Sequence, residues 1–239
     1  MTANEGEGGE RFPHYYALLD RLHEYLRPRG YVEIGVADGH SLGLSRPGTV
    51  AVGVDPDPGP QVAERAPGRR LVATTSEDFF ATHERVDVLG DAPLDLAFVD
   101  GLHLFEAALA DVAALEAWAH PGTVLLLHDC HPTDAAMAAR ERTTLAWAGD
   151  VWKVVACLRA DRPDLSVTTV DVGPTGLGVI TGLGAGFADL AGSTRRHRDL
   201  DDAVLDADPE GILGLVPPTW AAVAPLLPGY PARTSKDVA

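Results

Sequence analysis

The sequence of 239 residues contains few cysteines and no long apolar run. Its two cysteines, Cys130 and Cys157, are too few for a disulfide framework and favour a reducing, cytoplasmic compartment. No stretch of about 18 uninterrupted apolar residues occurs, so we expect no membrane-spanning helix and no membrane partner. The first ten residues, MTANEGEGGE, lack the basic start and the apolar segment of a secretory signal, so we expect none.

Positive charge is also scarce. Lys153 and Lys236 are the only lysines, and the 19 Lys and Arg residues are outnumbered by 35 Asp and Glu, which gives a net charge of −16. Such a chain repels phosphate backbones, so we expect no nucleic-acid partner. The chain does have 46% hydrophobic residues, which is enough for the core of one large domain.

Short apolar runs recur along the chain and predict buried strands. They lie at 31–36, 49–55, 69–75, 94–100 and 123–129. Apolar residues occur at helical spacing before the first run, at 12–26, and again between the fourth and fifth runs. A shorter helical stretch begins at Ser76, between the third and fourth runs. Strands that alternate with helices predict a parallel sheet with right-handed crossovers.

The end of the α/β pattern differs. Two apolar runs, 165–172 and 177–183, are separated only by GPTG, which predicts a β-hairpin and hence an antiparallel addition to the sheet. We therefore predict a flexible tail over 1–11, an α/β domain over 12–184, and an extension over 185–239 that acts as a cap, lid or dimer arm.

The segment VEIGVADGHSLGL, at 32–44, indicates a ligand site. Gly35 and Gly39 follow a strand and open a helix, so a ligand can approach the backbone closely. The spacing is not the G-x-G-x-x-G of dinucleotide sites, and Asp38 would repel a pyrophosphate. With Glu33, the same carboxylate suits a ligand that carries a cation, and S-adenosylmethionine is such a ligand.

Polar residues follow the next two strands as well. Asp55 lies roughly 20 residues beyond the turn, where an acid can bind two ribose hydroxyls. Thr75 and Ser76 follow the third strand, at the edge where an adenine would lie. A glycine turn and an acid of this kind are also common in α/β proteins that bind no such ligand, so this alternative stays open.

The stretch EIGVADGHSL resembles motif I of the class I S-adenosylmethionine-dependent methyltransferases, particularly the small-molecule O-methyltransferases with E-I-G-x-x-x-G-x-S. The resemblance covers about residues 30–183 and includes the terminal hairpin. It implies a Rossmann-like fold: a seven-stranded, mostly parallel sheet with helices on both faces. It also implies cofactor contacts: Glu33, Gly35, Gly39 and Ser41 at the methionine part, Asp55 at the ribose, and Thr75 and Ser76 near the adenine.

The fourth strand ends in FVDGLH. In the cation-dependent branch of the resembled family, the aspartate at this strand end binds a divalent metal, and a lysine three residues later acts as base. Here the aspartate is Asp100, which the resemblance places at both cofactor and metal, and the lysine position is occupied by His103. Histidine suits proton removal near neutral pH, so we predict that the two form a catalytic pair.

The fifth strand ends in LLLHDC. By the same resemblance, Asp129 completes the metal site, but Cys130 stands where the branch has an amide. Mg²⁺ prefers oxygen ligands, so the cysteine puts the metal in question, while His128 could bind a softer ion or act as a base. Three interpretations stay open: a metal site, a metal-free base site that uses His103 or His128, and a structural histidine at the strand end.

The long connection after the fifth strand contains GDVWK. Trp152 could form a wall of an acceptor pocket, with Asp150 or Lys153 contacting a polar substrate. In the alternative interpretation, Asp150 caps a helix and Trp152 belongs to its packed face.

The resemblance as a whole implies O-methylation of a hydroxyl on a small molecule, with S-adenosylmethionine as cofactor and Mg²⁺ or another divalent cation as an aid. The acceptor would be a natural product or a sugar, as in bacterial secondary metabolism and antibiotic biosynthesis. We expect a cytoplasmic homodimer. The alternatives are an NAD(P)-dependent oxidoreductase on a similar sheet and a non-catalytic protein that binds S-adenosylmethionine.

Overall fold

The computed structural model describes residues 11–145 and 147–230. The predicted tail over 1–11 therefore lies almost entirely outside the described residues, as does the end of the predicted extension. Among the described helices, none has both the length and the apolar character needed to cross a bilayer.

The elements alternate as predicted through most of the chain. The strands are β1 Gly30–Ile34, β2 Val50–Val54, β3 Arg70–Val72, β4 Leu94–Val99, β5 Val124–His128, β6 Ser166–Val170, β7 Leu177–Thr181 and β8 Leu215–Val216. The helices up to the hairpin are α1 Tyr15–Leu26, α2 His40–Gly43, α3 Val62–Arg65, α4 Ser76–Thr82, α5 Arg85–Leu89, α6 Phe105–Trp118, α7 Ala135–Ala138 and α8 Trp152–Asp161. The later helices are α9 Leu190–His197, α10 Asp202–Ala207, α11 Pro209–Leu213 and α12 Trp220–Val223, followed by a 3-10 turn at Ala224–Leu226.

The eight strands found in the described residues form one sheet, in the order β3-β2-β1-β4-β5-β7-β6-β8. Every neighbouring pair is parallel except those of β7, which runs antiparallel to both β5 and β6. The Rossmann-like α/β fold and its hairpin are thus confirmed. The sheet has one strand more than the seven expected, because the C-terminal segment adds β8 beside β6.

Two apolar layers cover the two faces of the sheet. Alternate strand residues point to opposite faces, so Leu125 and Leu127 pack on one side while Val124 and Leu126 pack on the other. The first layer contains apolar residues of α4, α5, α6 and α8, and the second contains those of α1, α2, α3 and α12. Buried on both faces, the strands read as continuous apolar runs, which is why the sequence predicted them well.

Candidate active site

The turn after β1 fixes one wall of a cleft. Gly35 has a φ of +83°, and a Cβ there would lie 2.0 Å from the carbonyl oxygen of Asp100. Gly39, also at +83°, precedes α2, and a Cβ there would lie 2.9 Å from the Cα of Val62. Only glycine combines this backbone conformation with such close approach, so the ends of β1 and β4 meet without intervening side chains.

Glu33 lies behind the turn rather than in the cleft. It is fully buried in β1 and accepts hydrogen bonds from the Ser41 hydroxyl at 2.5 Å and the Tyr31 hydroxyl at 2.6 Å. Burial raises the pKa of Glu33 to about 8, against the opposing effect of these two hydrogen bonds. The carboxyl is therefore largely neutral at pH 7, and it ties α2 to the strand through Ser41. Glu33, Gly39 and Ser41 do not line the cavity described below.

Asp55 follows β2 and does face the cavity. Its Oδ2 accepts hydrogen bonds from the backbone N–H groups of Val36 at 2.8 Å and Ala37 at 2.9 Å, and its Oδ1 accepts one from Asp57 at 2.8 Å. Asp55 thus stabilises the glycine turn while an Oδ1 lone pair remains for a ligand hydroxyl. Asp38, by contrast, is half-buried, does not line the cavity and forms an ion pair with Arg65.

Thr75 and Ser76 begin α4 at the edge of the cavity. The Thr75 hydroxyl caps the helix by accepting a hydrogen bond from the Asp78 N–H at 3.1 Å. Ser76 is hydrogen bonded to Asp111, a buried residue of α6, and burial raises the pKa of Asp111 to about 6 despite that bond. Sequence reasoning missed Asp111, because a single acid on an apolar helix carries no recognisable signal.

Two aspartates and two histidines meet where β4 and β5 end. The Nε2 atom of His103 lies 3.1 Å from Asp129 Oδ2 and 3.5 Å from Asp100 Oδ1. The Nδ1 atom of His128 lies 3.2 Å from each of the same two carboxylates. The structure therefore brings together all four residues that the sequence predicted as the catalytic and metal-binding group.

The close approach of these groups shifts the pKa values of Asp100 and of both histidines. Burial would raise the pKa of Asp100, but His128 and then His103 outweigh it and hold that pKa well below its usual range. Burial would lower the pKa values of both histidines. The two carboxylates nevertheless raise the pKa of His128 to about 10 and that of His103 above its ordinary value. Without a bound cation, the histidines thus act as the counterions of the carboxylates.

Residues from distant parts of the chain complete the cluster, and sequence reasoning missed them. Thr175, after β6, donates a hydrogen bond to Asp129 Oδ1 at 2.7 Å. Asp129 itself has a φ of +61°, a conformation uncommon for a residue with a side chain. From α1, Tyr15 places its ring 4.1 Å from that of His128, measured between centroids. Tyr15 gave no signal beyond helical spacing, since it also belongs to the core.

Trp147, rather than Trp152, forms the wall beside His103. The two rings stack with centroids 5.1 Å apart, and the carbonyl oxygen of Trp147 lies 2.7 Å from His103 Nδ1. Trp152 is fully buried in the core, which supports the structural interpretation of GDVWK. Asp150 accepts a hydrogen bond from the Phe105 N–H at 2.7 Å and so caps α6, not α8, while Lys153 lies 3.3 Å from that carboxylate.

Cys130 is turned away from the cluster. It is fully buried, its thiol donates to the carbonyl oxygen of Leu127 at 3.2 Å, and burial raises its pKa. The cysteine therefore supplies no thiolate to a metal or a substrate. His131, one residue on, lies 3.0 Å from Asp171, outside the site.

These walls enclose a cavity of about 1400 Å³ at the carboxyl ends of the parallel strands. Gly35, Asp55, Thr75 and Ser76 line it toward β2 and β3, and the Asp–His cluster lines it toward β5. Tyr15, Tyr16, Arg142, Leu145, Trp147 and Pro174 form much of its outer part. A volume of this size accommodates a nucleoside cofactor together with a second small molecule. The part next to Gly35 suits a ligand that approaches the backbone where a Cβ would not fit.

Comparison with known proteins agrees with this geometry. Residues 32–130 match the sequence profile of a family described as "Methyltransferase domain". This segment begins in β1 and ends just after β5, so it contains the glycine turn and the whole Asp–His cluster. No curated protein sequence matches the chain significantly.

Solved structures of methyltransferases are similar in fold. The O-methyltransferase TomG from Streptomyces achromogenes, involved in tomaymycin synthesis and solved with S-adenosylmethionine, is 20% identical with a TM-score of 0.56, over 72% of this chain and 80% of that one. Cofactor-bound Rv0187 from MTB is 19% identical with a TM-score of 0.56, over 71% and 80%. An O-methyltransferase from Bacillus cereus in complex with S-adenosylhomocysteine is 16% identical with a TM-score of 0.54, over 72% and 82%. At these identities the likeness establishes the fold.

Proposed function

We propose that this chain is an S-adenosylmethionine-dependent methyltransferase of the class I fold and that it methylates a hydroxyl oxygen of a small molecule. The observation that carries the proposal is the cluster of Asp100, His103, His128 and Asp129 on the cavity wall next to the glycine turn. A hydroxyl group needs a proton acceptor when it is methylated. A cluster of carboxylates and imidazoles provides one.

The chain's own residues support cofactor binding along the first half of the cavity. Asp55 offers a carboxylate oxygen to ribose hydroxyls, Gly35 gives close access to the backbone, and Thr75 and Ser76 border the slot proposed for adenine. Glu33 and Ser41 act indirectly in this proposal, since they hold the turn from behind. Asp100 lies at the boundary between the cofactor region and the cluster. When bound, S-adenosylmethionine supplies an electrophilic methyl group.

The acceptor would lie between this region and the outer wall. Tyr15, Trp147 and Pro174 present flat, mainly apolar surfaces there, which suits a ring-containing natural product or a glycoside. Holding the acceptor oxygen in line with the methyl group can supply roughly 7–11 kcal/mol of the rate enhancement in ideal cases. Either His103 or His128, when its ring is neutral, then takes the hydroxyl proton, a contribution of about 10²–10⁴-fold.

The cluster also fits a divalent cation. One oxygen of Asp100, one of Asp129 and a ring nitrogen of His103 all lie within 4.8 Å of one another, as ligands of a single ion would. When bound there, a divalent cation lowers the pKa of a coordinated hydroxyl. We therefore include metal assistance in the proposal, with Asp100 and Asp129 as the oxygen ligands.

The first test is calorimetric titration of S-adenosylhomocysteine into the purified chain, with a chelator and again with added Mg²⁺. Micromolar binding is expected. The second test measures release of S-adenosylhomocysteine with a panel of phenols, catechols and glycosides as acceptors. Turnover with a hydroxyl acceptor separates a transferase from a non-catalytic protein that only binds the cofactor.

Two variants sharpen the test. Asp129→Asn should lower kcat by about 10²-fold or more while S-adenosylhomocysteine binds within about threefold of the parent affinity. The control is Asp95→Asn, since Asp95 lies in β4 near the strand end remote from the cluster, where it pairs with Arg29 and His120. If the parent chain does not bind S-adenosylhomocysteine, or if Asp129→Asn retains full turnover, the proposal is wrong.

A further inference from the structure

The two ring nitrogens of His103 face different groups. Nδ1 lies 2.7 Å from the carbonyl oxygen of Trp147. A carbonyl oxygen only accepts, so Nδ1 carries a hydrogen and donates it. The stacked ring of Trp147, tilted by 24°, holds the imidazole in this orientation. Nε2 is thereby directed at the carboxylates of Asp129 and Asp100, 3.1 and 3.5 Å away.

This arrangement calls for positive charge at Nε2. In the neutral ring the proton is at Nδ1, so Nε2 presents a lone pair to two carboxylates, which is repulsive. Either a second proton or a metal ion between the three groups removes the repulsion. A histidine that donates its other N–H to a backbone carbonyl is the usual arrangement of a metal-bound imidazole, because the donation fixes the ring and increases its basicity.

We infer that His103 binds a divalent metal ion through Nε2, together with Asp100 and Asp129, and that the site therefore selects a transition metal over Mg²⁺. The inference rests on the proposed function for the identity of the cavity and goes beyond it in the ligand set and the metal. His103 is here a ligand rather than a proton acceptor.

The donor chemistry supports this choice of metal. Mg²⁺ prefers an octahedral shell of oxygen ligands, whereas imidazole nitrogen suits ions such as Fe²⁺, Ni²⁺ and Zn²⁺; Mn²⁺, the spin probe used below, also favours oxygen ligands but binds imidazole more readily than Mg²⁺ does. Three protein ligands from one side leave coordination positions open, which a catalytic ion needs. The His103 side chain retains 22% exposure and lines the cavity, so an ion held there would be accessible to the proposed acceptor.

The neighbouring residues support the same ligand set. Thr175 donates to the Oδ1 atom of Asp129, which leaves the Oδ2 atom directed at His103. Hydrogen bonds of this kind orient metal-binding carboxylates. Cys130 is excluded as a further ligand because it is buried in the core, where its thiol donates a hydrogen bond to the carbonyl oxygen of Leu127.

The test is metal binding by the full chain after removal of metals with a chelator. Mn²⁺ and Mg²⁺ are titrated separately by calorimetry, and the Mn²⁺-loaded chain is studied by pulsed electron paramagnetic resonance. We expect Mn²⁺ to bind at least about tenfold tighter than Mg²⁺. We also expect the spin-echo modulation of a directly bound imidazole nitrogen. His103→Gln should abolish the modulation and weaken Mn²⁺ binding by about 10- to 100-fold.

A matched control is available elsewhere in the fold. Cys157, Asp161 and His197 form a second group whose potential ligand atoms lie close together. His197→Gln should leave both the modulation and the Mn²⁺ affinity unchanged. S-adenosylhomocysteine binding by each variant shows that the fold is intact, and it is independent of the nitrogen signal.

The outcomes separate the two proposals. A nitrogen signal that disappears only in His103→Gln supports the inference, whether or not the chain turns out to methylate hydroxyls. No nitrogen signal in the parent chain, a signal retained in His103→Gln, or Mg²⁺ binding as tight as that of Mn²⁺ overturns it. In those cases, if the chain still binds S-adenosylhomocysteine, only the metal-ligand inference is wrong and the proposed methyl transfer is unaffected.

Discussion

The buried carboxyl of Glu33 predicts an unusual pH dependence of stability. Its pKa is about 8 in the folded chain and close to the ordinary value of 4.5 when the chain unfolds. A carboxyl whose pKa is raised by folding stabilises the fold fully below the unfolded value, and this stabilisation is lost as the pH rises through about 8. With about 1.4 kcal/mol for each pKa unit, Glu33 contributes about 3 kcal/mol more to the free energy of unfolding at pH 5.5 than at pH 8.5.

The substitution Glu33→Gln isolates this contribution. An amide has the shape of the neutral carboxyl and can hydrogen bond with the hydroxyls of Ser41 and Tyr31, each of which donates and accepts. The stability of the variant relative to the parent should be about 3 kcal/mol greater at pH 8.5 than at pH 5.5, because only the parent has to neutralise or bury a charge as the pH rises.

Urea denaturation followed by tryptophan fluorescence at the two pH values measures the difference. The other titrating groups are common to both proteins, so their effects cancel when the variant is compared with the parent. Glu64→Gln, an exposed residue of α3, serves as the control and should show no such change. If the stability of Glu33→Gln relative to the parent is the same at both pH values, Glu33 is ionised in the folded chain and the reasoning fails.

Three further predictions concern the turn, a buried ion pair and the wall of the cavity. Gly35→Ala should lower the free energy of unfolding by about 2–4 kcal/mol in thermal denaturation. Gly48→Ala should lower the free energy of unfolding by less, because nothing lies within 4 Å of a Cβ at Gly48 although its φ of +91° is similar. Equal losses of stability in the two variants would contradict the argument that Gly35 is required by close approach. Arg162→Met should lower the free energy of unfolding by about 3–5 kcal/mol, since it leaves the buried Glu116 without its bidentate partner; a neutral effect by urea denaturation would contradict this. Trp147→Ala should reduce kcat by roughly tenfold or more through loss of His103 orientation while S-adenosylhomocysteine affinity stays within about threefold; unchanged turnover would refute the role of the wall.

The fold could be predicted almost completely because burial on both faces makes each strand a recognisable apolar run. All seven predicted strands occur, and each is between about one and four residues shorter than its apolar run. Leu215–Val216 could not be found, since two residues have no periodicity and pair only where β6 offers a free edge. A strand of that length is defined by its neighbour rather than by its own sequence.

The site was predictable only where it consists of strand ends. Asp100 and Asp129 follow neighbouring parallel strands, and the ends of such strands meet, so their proximity follows from the fold alone. Thr175 and Trp147 reach the cluster from 46 and 44 residues away, along loops whose course no local pattern specifies. These two contacts orient Asp129 and His103. The sequence therefore identified the groups of the site, while their orientation, on which the choice between base and metal ligand depends, required the structure.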